Sequence, residues 1–330
     1  MFNNKSILIT GGTGSFGKEF VKTIFKKYKK IKRLVIFSRD EFKQSEMSEE
    51  FPKKKYPAIR FFIGDVRDRD RLIRACKSID YIIHAAALKQ VPIAEYNPME
   101  FIKTNIIGAS NLIEASIATK VKKVVALSTD KAASPINLYG ATKLCSDKLF
   151  IAANNYAGTT KISFSVVRYG NVMNSRGSVI PFFISEAKKG LIPITDKRMT
   201  RFNITLKESV NFVIKALKNA KGAEVFIPKI PSYKIMDLAK AISPKCRIKF
   251  IGIRPGEKIH EEMITVSDSP NTLNFKDYYI ILPSSDSKLS TYYIKKLRGQ
   301  RVPEGFCYNS LGNNRFLSIE SLKELIKGNA

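Results

Sequence analysis

The sequence predicts an α/β protein with a doubly wound parallel sheet and a smaller second domain. Short apolar runs alternate with amphipathic stretches, a glycine-rich loop follows the first apolar run, and this rhythm loosens after residue 168 of the 330-residue chain. Strands that are apolar along their whole length have both faces covered, which is typical of a parallel sheet between two layers of helices. Right-handed crossovers make such a sheet doubly wound.

Six apolar runs in the first half predict parallel strands at 6–10, 33–37, 60–63, 81–84, 124–128 and 163–167. The amphipathic segments between them predict helices at 18–28, 70–75, 101–119 and 139–155. Shorter pieces follow at 206–217, 225–227, 233–242 and 248–251, and a last helix is expected at 319–326. We therefore predict a first domain over 1–170, to which 200–228 returns, and a smaller domain over 171–330.

The composition argues against several classes of protein. An apolar content of 44% is sufficient for a large core, and no apolar run approaches the roughly 20 residues of a membrane span. The N-terminal residues lack a signal-peptide pattern, so we expect a cytoplasmic protein. Four dispersed cysteines form no CxxC pair and only two histidines are present, so we expect neither disulfides nor a bound metal.

The charge balance is strongly basic, with 57 lysines and arginines against 29 acidic residues and a net charge of +28. These residues are spread along the chain and are not interleaved with aromatic residues as in nucleic-acid-binding modules, so we expect no nucleic-acid partner. A positive field still concentrates anionic small molecules, including nucleotide-linked ones.

The loop TGGTGSFG, residues 10–17, joins the first predicted strand to the first helix. Its GxxGxxG spacing allows a tight turn, close approach of the backbone to a pyrophosphate and close packing of helix on strand, while the helix N-terminus favours the anion. The loop therefore predicts a Rossmann-type fold with a dinucleotide cofactor. Its predicted cofactor-binding residues are Gly11, Thr13, Gly14, Ser15, Phe16 and Gly17.

The end of the second strand distinguishes two cofactors. NAD enzymes usually place an acidic residue there to hold the ribose hydroxyls. Here Ser38 and Arg39 precede Asp40, and a serine followed by an arginine suits the 2′-phosphate of NADP. We expect NADP, and Asp40 keeps NAD open as the alternative.

Two further strand ends complete the predicted cofactor site. Asp65 and Val66 follow the third strand and can read an adenine edge, although an ordinary turn with a helix N-cap is an equal alternative. Ala85 and Ala86 follow the fourth strand and are small enough to form the floor of a cofactor site. Lys89, slightly further on, is assigned to both the cofactor and the substrate.

The segment YGATK, residues 139–143, carries the strongest chemical signal. Its spacing puts Tyr139 and Lys143 on one face of a helix. A free phenol, with a pKa of about 10, is a poor base at neutral pH, and a nearby ammonium lowers that pKa. We expect Tyr139 to take a hydroxyl proton while hydride leaves the same carbon, with Lys143 also holding the cofactor ribose.

Together these motifs resemble the extended short-chain dehydrogenase/reductase family, the group that modifies nucleotide sugars. The resemblance covers the first 170 residues and rests on TGGTGSFG, Asp65-Val66, HAAA at 84–87, Ser128-Thr129 and YGATK. It implies an NADP-binding first domain, a nucleotide-sugar-binding second domain and a homo-oligomer, with a hexamer as one assembly to consider.

Asp130 and Lys131, directly after Thr129, narrow the resemblance. Epimerases of the family usually have small hydroxyl residues here, and dehydratases that retain configuration have an Asp-Glu pair. An acid beside a potential base resembles the configuration-inverting UDP-N-acetylglucosamine 4,6-dehydratases of bacteria, which make the first intermediate of pseudaminic acid for flagellin. The alternative is a solvated ion pair in a turn.

This resemblance implies C4 oxidation, elimination of water across C5–C6 and return of hydride to C6, giving UDP-2-acetamido-2,6-dideoxy-β-L-arabino-hex-4-ulose. Lys131 is expected to take the C5 proton, with a pKa lowered by burial and cationic surroundings. Asp130 is expected to stay protonated and to donate to the departing C6 hydroxyl. Thr129 completes the predicted catalytic set.

Four residues of the second half are expected at the substrate, together with Lys89. Asn171 follows the sixth strand, at the sheet edge where ligands of such folds bind. Arg201 and Arg254 are expected to clamp the diphosphate, because guanidinium groups match phosphate oxygens. Glu257, in the segment RPGEK, is expected to accept the uridine ribose hydroxyls.

Three other functions stay open. A nucleotide-sugar 4-epimerase uses the same tyrosine and lysine but needs no acid–base pair at 130–131. A non-catalytic NADP-binding protein would tolerate loss of Tyr139, which this chain retains. Nucleic-acid binding rests on the net charge alone.

Overall fold

The computed structural model describes residues 1–173, 175, 177–283 and 287–328. Six strands from the first half of the chain are parallel to one another. They are β1 (Ser6–Thr10), β2 (Arg33–Ser38), β3 (Ile59–Ile63), β4 (Tyr81–His84), β5 (Lys123–Thr129) and β6 (Ser163–Tyr169). Their order in the sheet is β6-β5-β4-β1-β2-β3, which confirms the predicted doubly wound sheet. Every residue of β1 and β6 is buried because helices cover both faces.

The helices of the first half lie between these strands. They are α1 (Ser15–Lys27), α2 (Glu41–Glu50), α3 (Arg69–Cys76), α4 (Val91–Tyr96), α5 (Pro98–Phe101), α6 (Gly108–Ala118) and α7 (Leu138–Tyr156). A π-helical segment, Ile102–Ile107, links α5 to α6, so the helix predicted at 101–119 is not one regular helix. The apolar pattern does not predict α2, because only Gln44 and Met47 are buried on it.

The second half has shorter elements, as its looser pattern predicts. The helices are α8 (Val179–Ala187), α9 (Leu206–Asn219), α10 (Ile235–Ile242), α11 (Ser287–Leu297) and α12 (Ile319–Gly328). The strands are β7 (Asn171–Val172), β8 (Leu191–Ile194), β9 (Thr200–Ile204), β10 (Val225–Pro228), β11 (Ser232–Lys234), β12 (Arg247–Phe250), β13 (Glu262–Ile264), β14 (Thr272–Asn274), β15 (Tyr278–Ile281), β16 (Gln300–Arg301) and β17 (Tyr308–Asn309). None of the described helices is long and apolar enough to cross a membrane.

Four strands of the second half extend the main sheet beyond β6, in the order β10, β15, β14 and β16. Of the segment 200–228, β10 runs parallel to β6, whereas β9 lies in a separate sheet with β7 and β11. Within this segment β10 joins the main sheet and β9 does not, and the return of 200–228 to the first domain stays a prediction. Two further two-stranded sheets pair β8 with β12 and β13 with β17.

Buried apolar side chains form two large clusters. The larger one lies around the ten-stranded sheet, and the second includes Met173, Ile192, Tyr233, Leu238 and Leu322. A boundary at residue 170 would leave β1 to β6 in the first domain and the second cluster in the second domain. Strands β14, β15 and β16 lie after this boundary but belong to the main sheet. The division into domains at residue 170 stays a prediction.

Candidate active site

The glycine-rich loop after β1 fits closely against the segment after β4. Gly11 has a φ of +65°, and a Cβ atom there would lie 2.9 Å from the Cα of Ala86. A Cβ atom at Gly17 would lie 2.1 Å from the carbonyl oxygen of Gly12, so α1 packs on the loop only with glycine at this position. Thr10 Oγ1 accepts hydrogen bonds from the backbone of both Ala85 and Ala86 at 3.2 Å. Side chains at positions 11 and 17 would therefore collide with neighbouring backbone atoms.

The ends of β2 and β3 lie beside this glycine-rich loop. Thr13 and Ser38 share a hydrogen bond of 2.9 Å between their hydroxyl groups. Asp40 caps α2 by accepting from the backbone of Lys43 at 3.0 Å, and it also pairs with the Lys43 ammonium. The expected ribose ligand for NAD is therefore engaged as a helix cap.

Asp65 is engaged by two arginines. The Arg39 guanidinium lies 3.7 Å from Asp65 Oδ2, and Arg67 Nε lies 3.3 Å from the same oxygen. Val66, the next residue, is buried. We call the loop 10–17 together with Ser38, Arg39 and Asp65 the cofactor edge.

Helix α7 carries Tyr139 and Lys143 one turn apart, and both side chains are buried. Gly140 brings this helix against the short 3-10 turn Asp130–Ala132, because a Cβ atom at Gly140 would lie 2.2 Å from the carbonyl oxygen of Lys131. Asn137 caps the helix by accepting from the Gly140 backbone at 2.7 Å. The glycine thus sets the distance between Tyr139 and the acid–base pair.

The environment of Tyr139 differs from the expected one. Burial raises the pKa of its phenol to about 12, and Lys131 and a hydrogen bond with Thr129 act in the opposite direction. Burial also lowers the pKa of Lys143, with Asp147 one turn further on opposing this change. The expectation of a lowered phenol pKa is therefore wrong for this structure, where burial dominates.

Lys131 lies between two buried carboxyl groups. Its Nζ atom is 3.0 Å from Asp130 Oδ1 and 3.1 Å from Glu261 Oε1. Asp130 Oδ1 also accepts a hydrogen bond from the Thr129 hydroxyl at 2.9 Å. The Arg201 Nε atom lies 3.6 Å from Glu261 Oε1. We call Asp130, Lys131, Arg201 and Glu261 the acid–base cluster.

Burial and the neighbouring charges shift the pKa values of Asp130, Lys131 and Glu261. Burial raises the pKa of Asp130, and Lys131 opposes this change. Burial alone would lower the pKa of Lys131, but Asp130 and Glu261 outweigh it and the pKa is raised. The prediction of a lowered Lys131 pKa is therefore wrong. Burial opposes ionisation of Glu261, yet Lys131 and Arg201 prevail and lower its pKa.

Asp130 is completely buried. Its Oδ2 atom has no hydrogen-bond partner among the described residues. Thr129 and Lys131 both donate hydrogen bonds to its Oδ1 atom.

Arg201 is not placed as a diphosphate clamp. Its Nη1 donates to the carbonyls of Thr200 and Ile259 at 2.8 and 2.9 Å, and its Nη2 donates to the carbonyl of Lys258 at 3.0 Å. With Nε facing Glu261, this buried guanidinium has no side open to a ligand. The sequence-based assignment is corrected: Arg201 supports the acid–base cluster.

The remaining expected substrate residues lie around this centre. Arg254 and Glu257 form a half-exposed pair with 3.8 Å between Nε and Oε2. Their loop rests on α7, since Asn137 donates to the Gly256 carbonyl at 2.8 Å. Asn171 has a buried Oδ1 without a hydrogen-bond partner among the described residues. Burial lowers the pKa of Lys89, and the positive charge of the nearby Lys131 lowers it further.

Glu261 is the residue that the sequence analysis missed. It follows RPGEK by three positions, and no spacing connects it to Lys131, 130 positions earlier. It is brought there by the chain after Glu257, where Lys258 donates to the Ala133 carbonyl at 2.7 Å. Only the tertiary structure reveals this contact. Among the described residues no cluster of three His, Cys, Asp or Glu side chains could hold a metal ion.

The fold and the site define a Rossmann-type enzyme with a tyrosine–lysine pair on one helix and an acid–base pair at the end of a neighbouring strand. The profile of the family described as "Polysaccharide biosynthesis protein" matches residues 7–283. The chain belongs to this family.

Curated relatives cover nearly the whole chain. A UDP-N-acetylglucosamine 4,6-dehydratase (inverting) from Campylobacter jejuni is 56% identical over 99% of this chain and 98% of the relative. A UDP-glucose 4-epimerase from Rickettsia canadensis is 40% identical over 99% of this chain and 96% of the relative. A solved structure of Pen from Bacillus thuringiensis has a TM-score of 0.91 at 39% identity, covering 100% of this chain and 99% of that one.

These comparisons confirm the resemblance to the extended short-chain dehydrogenase/reductase family and the α/β fold. The predicted enzyme class, a hydro-lyase of the dehydratase type, is confirmed by the Campylobacter relative.

Proposed function

We propose that this protein is a UDP-N-acetylglucosamine 4,6-dehydratase that inverts C5 and gives UDP-2-acetamido-2,6-dideoxy-β-L-arabino-hex-4-ulose. One observation carries the proposal: Lys131 and Asp130, an acid whose pKa is raised by burial, lie beside the buried Tyr139, within one site. An enzyme that only moves hydride has no need of such a pair. The name of the Campylobacter relative supports this reaction.

The cofactor of this proposal is NADP, with NAD as the alternative. The spacing of Gly11, Gly14 and Gly17 at the start of α1 suits a pyrophosphate, and a Cβ atom at Gly11 or Gly17 would collide with neighbouring backbone and disturb this close-packed loop. Arg39 is half-exposed at the end of β2 and suits a 2′-phosphate, while Asp40 is used as a helix cap. When bound, the nicotinamide supplies an acceptor for the C4 hydride and returns that hydride to C6.

Each proton transfer of the proposed reaction is then assigned to one residue of the chain. Tyr139 takes the proton of the C4 hydroxyl, and Lys143 beneath it holds the cofactor ribose. Lys131 takes the C5 proton, which the C4 ketone has made acidic. Asp130 supplies the proton that leaves with the C6 hydroxyl as water. Thr129 orients both Tyr139 and Asp130 through its hydroxyl group.

The substrate is expected to enter over the ends of β5 and β6. Asn171 Oδ1 is expected to accept a hydrogen bond from a sugar hydroxyl. Arg254 and Glu257 lie at the rim, where they suit the diphosphate and the uridine ribose. Lys89 adds positive charge next to Lys131. Arg201 is left out of this set for the reason given above.

Three broader expectations belong to the same proposal. The product would be the first intermediate of pseudaminic acid for flagellin glycosylation, and the protein would act in the cytoplasm. We further expect a homo-oligomer, with a hexamer as one assembly to test by light scattering.

The second candidate is a nucleotide-sugar 4-epimerase, which the name of the Rickettsia relative favours. Product analysis by NMR after incubation with UDP-N-acetylglucosamine and NADP separates the two. A 4-keto sugar with a C6 methyl group is the expected product. UDP-N-acetylgalactosamine with an intact C6 hydroxyl would establish epimerisation instead.

A further inference from the structure

Glu261 lies behind Lys131 as seen from the open part of the site. The Lys131 side chain is 24% exposed, whereas those of Asp130 and Glu261 are 1% and 3% exposed. Of these three groups, Lys131 alone can therefore approach a substrate without rearrangement. Its ammonium group has three N–H bonds, two of which are directed to the carboxyl groups of Asp130 and Glu261.

This arrangement creates a difficulty for a base at Lys131. The two carboxyl groups hold the amine in its charged form, and a charged ammonium cannot accept the C5 proton. A proton must leave Nζ before, or as, the C5 proton arrives. Glu261 Oε1 lies 3.1 Å from that nitrogen and, although burial opposes its ionisation, Lys131 and Arg201 lower its pKa, whereas Asp130 Oδ1 already accepts a second hydrogen bond from Thr129.

We propose that Glu261 is a positioning residue that accepts one Nζ proton from Lys131 while Nζ takes the C5 proton of the 4-keto sugar. The C5–H bond breaks and its electron pair enters the enolate; a new N–H bond forms on Lys131. At the same time one N–H bond of Lys131 breaks and an O–H bond forms on Glu261 Oε1. Lys131 is charged before and after the step. This inference rests on the proposed dehydratase function.

The surroundings of Glu261 suit a proton acceptor held in one place. Arg201 faces Oε1, and the other donors of Arg201 are fixed by backbone carbonyls. The backbone of Glu261 is anchored to Ser310, whose Oγ accepts from the Glu261 amide at 2.9 Å. Glu261 Oε2 is buried and has no hydrogen-bond partner among the described residues, so this carboxylate is not saturated. The other charged or titratable groups near the cluster are Lys89, Tyr139, Tyr233 and Lys258.

The test is exchange of the C5 proton for deuterium in the 4-keto product, followed by NMR, with the Glu261→Gln variant. This assay needs no C4 oxidation, so it isolates the proposed step. Glutamine keeps the shape but cannot accept a proton, and we expect exchange to fall about 100-fold. Formation of reduced cofactor from UDP-N-acetylglucosamine in a single turnover should stay within about threefold of the wild type.

The pH profile distinguishes a proton acceptor from a structural residue. Wild-type exchange should be flat around neutral pH, where Lys131 is charged and Glu261 ionised. In Glu261→Gln the base is the neutral amine, whose fraction rises about tenfold per pH unit below the pKa of Lys131. A variant with wild-type exchange and a flat profile, or one that loses C4 oxidation as much as exchange, overturns the inference.

Glu262→Gln is the matched control. Glu262 is the neighbouring carboxylate, and its Oε2 accepts from the Ser134 hydroxyl at 3.0 Å outside the acid–base cluster. We expect wild-type exchange from it. If Glu261→Gln does not fold, Glu261→Asp decides, because a carboxylate should preserve the flat profile at a lower rate and a rising profile overturns the inference. A wild-type protein that makes no 4-keto product contradicts the proposed function itself.

Discussion

At the cofactor edge, Arg39 is 55% exposed and reaches Asp65 across the ends of two adjacent strands, whereas in the acid–base cluster Asp130 and Glu261 are almost fully buried around Lys131. An exposed ion pair contributes at most about 1 kcal/mol to stability. Breaking a buried one costs about 3–5 kcal/mol, because a charge is left uncompensated. The two regions should therefore respond differently to substitution.

The cofactor edge is suited to binding, and the acid–base cluster is suited to the chemical steps. The cofactor edge is open, and its charges can turn from one another toward a ligand without a large loss. In the acid–base cluster each charge sets the protonation of its neighbours, so a single substitution changes all of them. We expect substitutions at the edge to change affinity and those in the cluster to change the rate of single chemical steps.

The largest effect is expected for Lys131→Ala. Elimination should fall about 10²–10⁴-fold because the base is lost, while C4 oxidation continues and reduced cofactor accumulates. Absorbance of the reduced nicotinamide in a single turnover measures this. The control is Lys122→Ala, which removes a surface lysine paired with Asp80 at 2.7 Å. Equal loss of both steps in Lys131→Ala would mean that the cluster is structural.

Gly140→Ala should come next, because the new Cβ atom would lie 2.2 Å from the Lys131 carbonyl oxygen and would push α7 away from the turn. We expect a loss of about 1–3 kcal/mol in the free energy of unfolding, measured with denaturant, and slower C4 oxidation and elimination together. Gly328→Ala is the control, since no atom lies within 4 Å of its added Cβ. An unchanged rate would show that the distance between Tyr139 and the acid–base pair is not set by this contact.

Arg39→Ala tests the role of the exposed cofactor edge. The dissociation constant for NADPH should rise about tenfold and that for NADH should change little, because the arginine is proposed to contact only the 2′-phosphate. Fluorescence titration of the reduced cofactors measures both constants. Arg74→Ala, on the exposed part of α3, is the control. Equal weakening for the two cofactors contradicts the assignment of NADP through Arg39.

The smallest effect is expected for Arg254→Ala at the half-exposed rim. KM for the nucleotide sugar should rise about three- to tenfold with kcat unchanged, since this contact is the same in the ground state and the transition state. Steady-state kinetics measures it, with Lys249→Ala on β12 as the control. A fall in kcat at constant KM would place Arg254 within the chemistry.

The same contrast explains what the sequence could predict. The glycine loop, Ser38 and Arg39, and the Tyr139–Lys143 spacing are local patterns, and each lies within one strand–turn–helix unit. The protonation of Lys131 could not be predicted, because Glu261 reaches it from a segment 130 positions away. Arg201 was misassigned for the same reason, since its backbone partners at 258–259 are distant in sequence. Buried charge balance is a tertiary property.

The central claim is that Tyr139 takes the C4 hydroxyl proton during oxidation and that the acid–base cluster exchanges the proton at C5. Conversion of UDP-N-acetylglucosamine in deuterated water, followed by NMR of the product, tests it most directly. We predict a 4-keto product of L-arabino configuration with deuterium at C5, and a C6 methyl group that contains the hydride returned from C4. A product that retains the original hydrogen and configuration at C5 would contradict the account.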